Sequence, residues 1–589
     1  MWIFPLTVLA ASILLSYPVG LLMARLLDGR GPRSRLLAGL ESWIDTGPQN
    51  SRQYLFSLML FNLFFFVLAF TVLSLQPLLP FNPDHKAMLG PTTILHTTIS
   101  FVTNNSLQHY AGEQHLSYFS QLGAIVSSMF AGGAVSICSL LAVSRGLRGD
   151  SNLGNFYVDL WRSTAYLLVP TALVFGAFQL AAGTPMTFAD TASAGMVEGA
   201  EQKIARGPVA ALVPIKNLAS VGGGFFGANS SHPYENPSAA INFLQCISIL
   251  FFPCAVIVMY GRMLGRMRHA FILYGVMIAL FAGLMCSTIV TDTAVPNPAT
   301  QAHEQRNEAD DGIDSPAQPA LPISSSAYGN LEGKELRFGR SGAGTFAAVT
   351  TAVACGSVNC MHDSLNPLAG LPLLGGMWLN CVFGGKGVGL LNFLVFVVVA
   401  VFLTGLMVGR TPEYLGKKVE AREMKLAMLA FLIHPLMILT PTALFAVTPW
   451  GTGATSNPGA HGLSQILYEF SSSSAGNGSG FEGLGDTWGF NDPEMNPNPP
   501  APYSTEWDIA TSLVMVISRF VPMIAAITLA GSLAAKPATP FTVGTLRTDT
   551  ATFGIVLLAI IVLLGALVFL PAAALGPVAE HFGPIPFGS

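Results

Sequence analysis

The chain has 589 residues, of which 51% are hydrophobic and only 10% charged, with a net charge of −4. Ordinary soluble domains carry roughly 25% charged residues, so this composition belongs to a polytopic membrane protein. The near-neutral balance argues against nucleic acid as a partner, and seven cysteines without a CxxC pair or Cys/His cluster argue against disulfides or structural zinc.

The first apolar run, about 2–24, has no Lys or Arg before it and is followed by Arg25, Arg30, Arg33 and Arg35. A cleaved signal peptide shows the opposite flank, so the run reads as a spanning helix with its N-terminus outside. Further runs long enough for a bilayer fall at roughly 54–76, 122–144, 163–183, 241–261, 269–291, 388–409, 426–447, 507–533 and 551–575, giving about ten spans. An even count puts the C-terminus outside as well. About 18 of the 28 Lys and Arg then fall in the inside loops, while 448–506 and 576–589 carry none, as the positive-inside rule requires.

Between alternate pairs of spans lie long outside segments, each with a stretch too short to cross: 91–102, 208–219, 343–354 and 461–470. A polar, small-residue string follows each one: TNNSLQ (103–108), SVGGGFF (220–226), CGSVNCMHDS (355–364) and AGNGSGF (475–481). The order span, short helix, string, span recurs four times, which predicts an internally repeated transport fold. The expected fold class is an all-α polytopic membrane protein with pseudo-fourfold symmetry. Its parts are an N-terminal helix (1–24), pore repeats at 54–145, 163–262, 269–410 and 426–534, and a C-terminal helix (551–575). Residues 296–340 and 485–505 have the Pro, Asn and acidic content of solvated loops.

Small residues let backbone carbonyls converge on an ion and replace its water shell without a full negative charge. Asn104 and Asn105, Gly222 to Gly224, Gly356 and Gly478 stand where such an approach is needed. A glycine triplet alone suits an outside turn equally well, so the argument rests on the fourfold recurrence. Short helices pointing their C-termini at the centre add partial negative charge there. No ring of Asp or Glu lines the strings, which disfavours a divalent-selective filter. His232 and Glu235, like His362 and Asp363, sit among prolines and read as turn residues that satisfy loop backbone. Arg519 lies inside the run 511–530, where a lone arginine costs about 2.5 kcal/mol or more unless it faces a polar cavity or partner. The chain has no phosphate loop, no DKTG-type phosphorylation motif and no cytoplasmic segment large enough for a nucleotide domain, so no nucleotide is expected on it.

GGGFFGANSSHPYENP (222–237), CGSVNCMHDS, GLMVGRTPEYLGKK (405–418) and SSSSAGNGSGF (471–481) resemble the signatures of KdpA, the potassium-binding subunit of the Kdp potassium-transporting P-type ATPase. The resemblance runs through all four repeats. It implies a channel-like subunit of the potassium-transporter superfamily in the bacterial inner membrane, with both termini periplasmic, in complex with the P-type ATPase subunit KdpB and with KdpC and KdpF. Potassium would be the only ion held at the filter, passing through an intramembrane tunnel to KdpB. Carried over by position, the filter would comprise Thr103, Asn104, Asn105, Gly222, Gly223, Gly224, Cys355, Gly356, Asn477 and Gly478, with Gln108 and Arg519 in coupling or the tunnel. No catalytic residue is implied. The family reads TNTNWQ where Ser106 and Leu107 stand here, and TNGGGFFNAN where Ser220, Val221 and Gly227 stand; Lys386 is also unusual. These departures bear on affinity and ion discrimination. An autonomous channel or cation-coupled transporter of the same superfamily would share the four strings but need no ATPase partner.

Overall fold

The computed structural model describes the chain except residues 30–34, 198, 200, 294–329, 410, 489–502, 538, 540–545 and 584–589. The bulk of both expected solvated loops therefore lies outside the described residues. Among those described, ten helices are long and apolar enough to cross a membrane: Ile3–Leu27, Ser51–Ser74, Tyr118–Arg148, Phe156–Ala181, Ala239–Leu264, Met267–Thr293, Val388–Met407, Ala421–Ala446, Ser504–Ala534 and Ala551–Phe582. In order these are spans one to ten. Each overlaps its expected run, and most begin earlier, because cap and first-turn residues are polar and escape a hydropathy count. Asn50 caps span two from just outside it, its side chain accepting from Gln53 N while Gln53 returns a bond to the Asn50 N–H.

Spans three and five form the middle of the bundle and are mostly buried, whereas spans two, four and ten expose large apolar side chains such as Phe64, Leu173 and Leu567. Small residues permit the close helix crossings, as expected where lipid removes the hydrophobic drive between helices. A Cβ on Gly20 of span one would lie 2.5 Å from the Ala255 carbonyl oxygen of span five, and one on Gly146 of span three 2.8 Å from the Ala530 carbonyl oxygen of span nine.

The four short helices are Pro91–Val102, Val209–Leu218, Gly342–Val353 and Gly459–Ala475, each ending where its string begins. The third repeat departs from the simple order. Its string leads into a further apolar helix, Pro367–Leu379, and then into irregular backbone through Gly384, Gly385 and Lys386 before span seven. Pro372 and the Gly375–Gly376 pair disguise that helix in the sequence, since each is a helix breaker in isolation. Two small antiparallel hairpins complete the fold, Ala192–Gly195 with Glu201–Ile204 and Glu413–Tyr414 with Lys417–Lys418. The second lies in GRTPEYLGKK and is held down by Tyr414, whose hydroxyl is 2.9 Å from that of Tyr260 and 3.0 Å from His269 Nε2.

Candidate functional site

The four strings have one backbone conformation. In each, a main-chain N–H one or two residues past the helix C-cap donates to the carbonyl five residues earlier: Asn105 to Ser100 at 2.8 Å, Val221 to Lys216 at 2.9 Å, Cys355 to Thr350 at 2.8 Å and Asn477 to Ser472 at 3.0 Å. On either side of that residue the chain is left-handed. Before it stand Asn104, Ser220, Ala354 and Gly476, with φ of 61°, 43°, 55° and 73°. After it stand Ser106, Gly222, Gly356 and Gly478, with φ of 76°, 75°, 89° and 96°. A non-glycine residue held left-handed costs about 1–2 kcal/mol, and four of these eight positions carry that cost.

Neighbouring strings touch in cyclic order, and the contacts are backbone to backbone. A Cβ on Gly222 would lie 2.2 Å from both the Cys355 carbonyl oxygen and the Ser357 nitrogen; one on Gly356 would lie 2.2 Å from the Asn477 carbonyl oxygen; one on Gly478 would lie 2.3 Å from the Asn105 carbonyl oxygen. The remaining contact, first string to second, runs through side chains. Asn104 Nδ2 donates to the Ser220 carbonyl at 3.2 Å. Gln108 clamps Gly224 from both sides, accepting from its N–H at 2.8 Å and donating to its carbonyl at 3.1 Å. Four strings thus close a ring, and glycine is required at three of its joints because any Cβ would strike the next string.

Side chains tie three of the strings to the short helix of a neighbour. Asn105 donates to the Ser473 carbonyl at 2.7 Å, Asn477 to the Thr350 carbonyl at 3.2 Å, and the Cys355 thiol lies 3.9 Å from the Lys216 carbonyl. Val221 occupies the fourth equivalent position and has no donor. Thr103 turns its hydroxyl back on its own helix, to the Ile99 carbonyl at 2.7 Å. Gly223 packs beneath the Phe101 ring, where a Cβ would be 2.7 Å from the ring carbon Cζ. All ten expected filter residues therefore lie in or against the ring. Ser106 joins them as the counterpart of three glycines, which only the shared backbone geometry reveals.

Behind the second string lies a buried ion pair that the sequence does not announce. Lys216, at the position of Ser100, Thr350 and Ser472, pairs with Glu235 and also donates to Asn229 Oδ1 at 2.6 Å and Ser230 Oγ at 2.8 Å. Glu235 Oε1 in turn accepts from the N–H groups of Phe225 and Phe226, at 2.7 and 3.0 Å. Asn229 Nδ2 donates to the Gly222 carbonyl at 2.7 Å. The turn reading of Glu235 holds, with a lysine added.

Beneath the ring a small cavity is lined by Asn104, Ser220, Ala354 and Gly476, the first left-handed residue of each string, together with Lys386 and Arg519. Arg519 donates to Ser136 Oγ at 2.7 Å, and Lys386 Nζ lies 3.3 Å from Asn104 Oδ1. Among the described residues neither cation has an ion-pair partner. Arg519 thus faces a polar cavity, as its depth demands. On the outer rim, burial opposes charge on His461, but Asp363 at 2.9 Å and Glu580 at 2.7 Å outweigh it and raise the imidazole to about 10. Burial pushes the nearby Glu482 carboxyl up to about 8.

The family model for KdpA, the potassium-transporting ATPase A subunit, matches residues 6–582. That match takes in all ten spans and the whole ring, and it accords with the signatures in the second, third and fourth strings. The chain therefore belongs to the KdpA family, the A subunits of potassium-transporting ATPases.

Proposed function

We propose that the ring of four strings is a potassium filter, and that the chain takes potassium ions from the outer face and delivers them to a P-type ATPase partner. The observation that carries this reading is the fourfold repeat of one left-handed, bridging, left-handed backbone unit around a closed ring. Backbone carbonyl oxygens converging on the axis of such a ring would form the ligand field that suits a monovalent cation stripped of water. The filter residues are the ten expected from the sequence, with Ser106 added, and Gln108 fixes the seam between the first two strings.

Below the ring, Arg519 opposes straight passage inward by charge, with the Lys386 amine beside it. A larger apolar chamber adjoins the small cavity, shares Asn380, Gly476 and Arg519 with it, and is lined further out by Phe396, Phe431 and Phe569. We take this as the tunnel's first section, leading across the membrane plane to KdpB, with KdpC and KdpF completing the complex. The setting is the bacterial inner membrane with both termini periplasmic, in line with the distribution of Lys and Arg.

A partner that hydrolyses ATP fits the energetics of scavenging. Each tenfold of gradient costs about 1.4 kcal/mol, so about five decades cost roughly 7 kcal/mol. A membrane potential supplies about 2.3 kcal/mol per 100 mV, which falls short. The deciding experiment is ATP hydrolysis by the complex purified through a tag on this chain, with and without potassium, after its subunits are identified. Potassium-stimulated hydrolysis with a co-purifying P-type ATPase is expected. A chain that purifies alone and passes potassium in liposomes would establish the autonomous-channel alternative instead.

A further inference from the structure

Beside the seam between the first and fourth strings, five titratable side chains from distant parts of the chain are buried together. His96 comes from the first short helix, His109 directly follows Gln108, Glu469 lies in the fourth short helix, Asp486 beyond the fourth string, and Asp508 in the first turns of span nine. His109 Nδ1 is 2.7 Å from Asp508 Oδ1, while Thr93 donates to Asp508 Oδ2 at 2.9 Å. Both Asp508 oxygens are thus engaged, and the aspartate fixes the proton on Nδ1. The other ring nitrogen, whose proton a bound metal ion would displace, is Nε2. It faces Glu469 Oε1 at 3.4 Å and Asp486 Oδ2 at 3.6 Å, and the three atoms lie within 4.8 Å of one another.

Those separations exceed the 2.7–3.2 Å of good N–H···O bonds. They match instead the edges, about 3.3 Å, of a tetrahedron built on metal–nitrogen and metal–oxygen bonds of about 2.0–2.2 Å. The carboxylate–histidine arrangement behind Nε2 is the one that orients and strengthens a metal-bound imidazole. A second observation points the same way. His96 stacks on His109 with ring centroids 3.9 Å apart, and both its ring nitrogens are buried without a hydrogen-bond partner, its Nδ1 being 3.9 Å from Asp508 Oδ1. Buried polar atoms of this kind call for a small ligand that protein atoms do not supply.

We propose that His109, Glu469 and Asp486 bind a divalent transition-metal ion of the zinc class, with Asp508 positioning the His109 ring. An imidazole ligand selects this class over potassium, magnesium or calcium, which prefer oxygen. The Asp486 side chain is 11% exposed and gives the ion its access. The site staples the two strings it touches: His109 adjoins the Gln108 clamp, and Glu469 lies three residues before Ser472 in the helix that anchors Asn105. It is therefore a structural metal site beside the ring's first and fourth strings.

The test uses the chain purified with its co-purifying subunits, treated with chelator and titrated with cobalt(II) alone. One cobalt per chain is expected, with visible d–d absorption and a raised melting temperature. Asp486→Asn and Glu469→Gln should abolish both signals, and Asp508→Asn should weaken binding about 10- to 100-fold. His461→Gln, in the separate cluster with Asp363 and Glu580, should leave them unchanged. Asp486 is the most exposed ligand, so its variant decides the matter if the Glu469 variant does not fold. Absence of cobalt binding in the wild type, or equal binding by well-folded Asp486→Asn, overturns the proposal.

Discussion

Alanine at Gly356 tests the ring at a single joint. The residue has φ of 89°, and an added Cβ would lie 2.2 Å from the Asn477 carbonyl oxygen, 3.0 Å from its carbon and 3.1 Å from the Gly478 carbonyl carbon. Two costs follow. The left-handed backbone costs about 1–2 kcal/mol once a Cβ is present. The contact then forces the third and fourth strings apart by about 1 Å, the scale of misplacement that costs around 100-fold at an ordered site. Gly265, which caps span five, separates the two costs: its φ is 65° and nothing lies within 4 Å of its added Cβ. Gly265→Ala therefore carries the backbone penalty without disturbing the ring. The assay is the potassium concentration that half-activates ATP hydrolysis by the purified complex. Gly356→Ala should raise it by about tenfold or more, equivalent to at least about 1.4 kcal/mol, while Gly265→Ala should leave it within about twofold. Equal effects from the two variants, or no shift from a normally inserted Gly356→Ala, would refute the assignment of these strings as the ion-binding ring.

Val221→Asn restores the donor that the other three strings possess and aims it at the Ser100 carbonyl; we expect a stability gain of up to about 1 kcal/mol, read as a higher melting temperature, and a fall would show that the fourfold register fails at this seam. Lys386→Met removes a basic group beneath the ring, beside Arg519; a positive charge there repels an ion above it, so half-activation by potassium should fall, and an unchanged value would mean that the amino group carries no charge the ion feels. His461 is raised to about 10 by Asp363 and Glu580, so the stability it contributes is complete below its unfolded value near 6.5 and is lost as pH climbs towards 10. Melting temperature should therefore decline across pH 6.5–10 more steeply in the wild type than in His461→Gln, and parallel curves would exclude this linkage.

The spans were legible because a bilayer imposes a minimum apolar length, and little else in a chain of this composition produces ten such runs. The short helices were legible by the same rule applied in reverse. Pro367–Leu379 escaped because its prolines and glycines, which read as loop signals, are tolerated in a helix packed against spans six and ten and the third and fourth short helices. The strings could be found from their Gly, Ser and Asn content, but their register could not. The position after the bridging residue is Ser106 in one string and Gly222, Gly356 and Gly478 in the others, and the position before it is Asn, Ser, Ala and Gly in turn. At the position before, no residue identity repeats; only a left-handed φ does.

That distinction bears on how the ring is built. Where the next string's backbone approaches within about 2.3 Å of the added Cβ, glycine is compulsory, and three of the four joints obey this. Ser106 stands at the joint where Asn104 and Gln108 make the connection through side chains, so the backbones there need not close to the same distance. The same seam carries Val221, the one bridging residue without a donor. Both departures from fourfold symmetry therefore fall between the first and second strings, and the Gln108 clamp on Gly224 together with the Lys216–Glu235 pair behind the second string compensates there. A ring so supported can hold its carbonyls in place with one weak joint, provided that joint is pinned from outside. Loss of Gln108 should consequently loosen this seam, leaving the Asn104 bond to the Ser220 carbonyl as the remaining side-chain tie between the two strings.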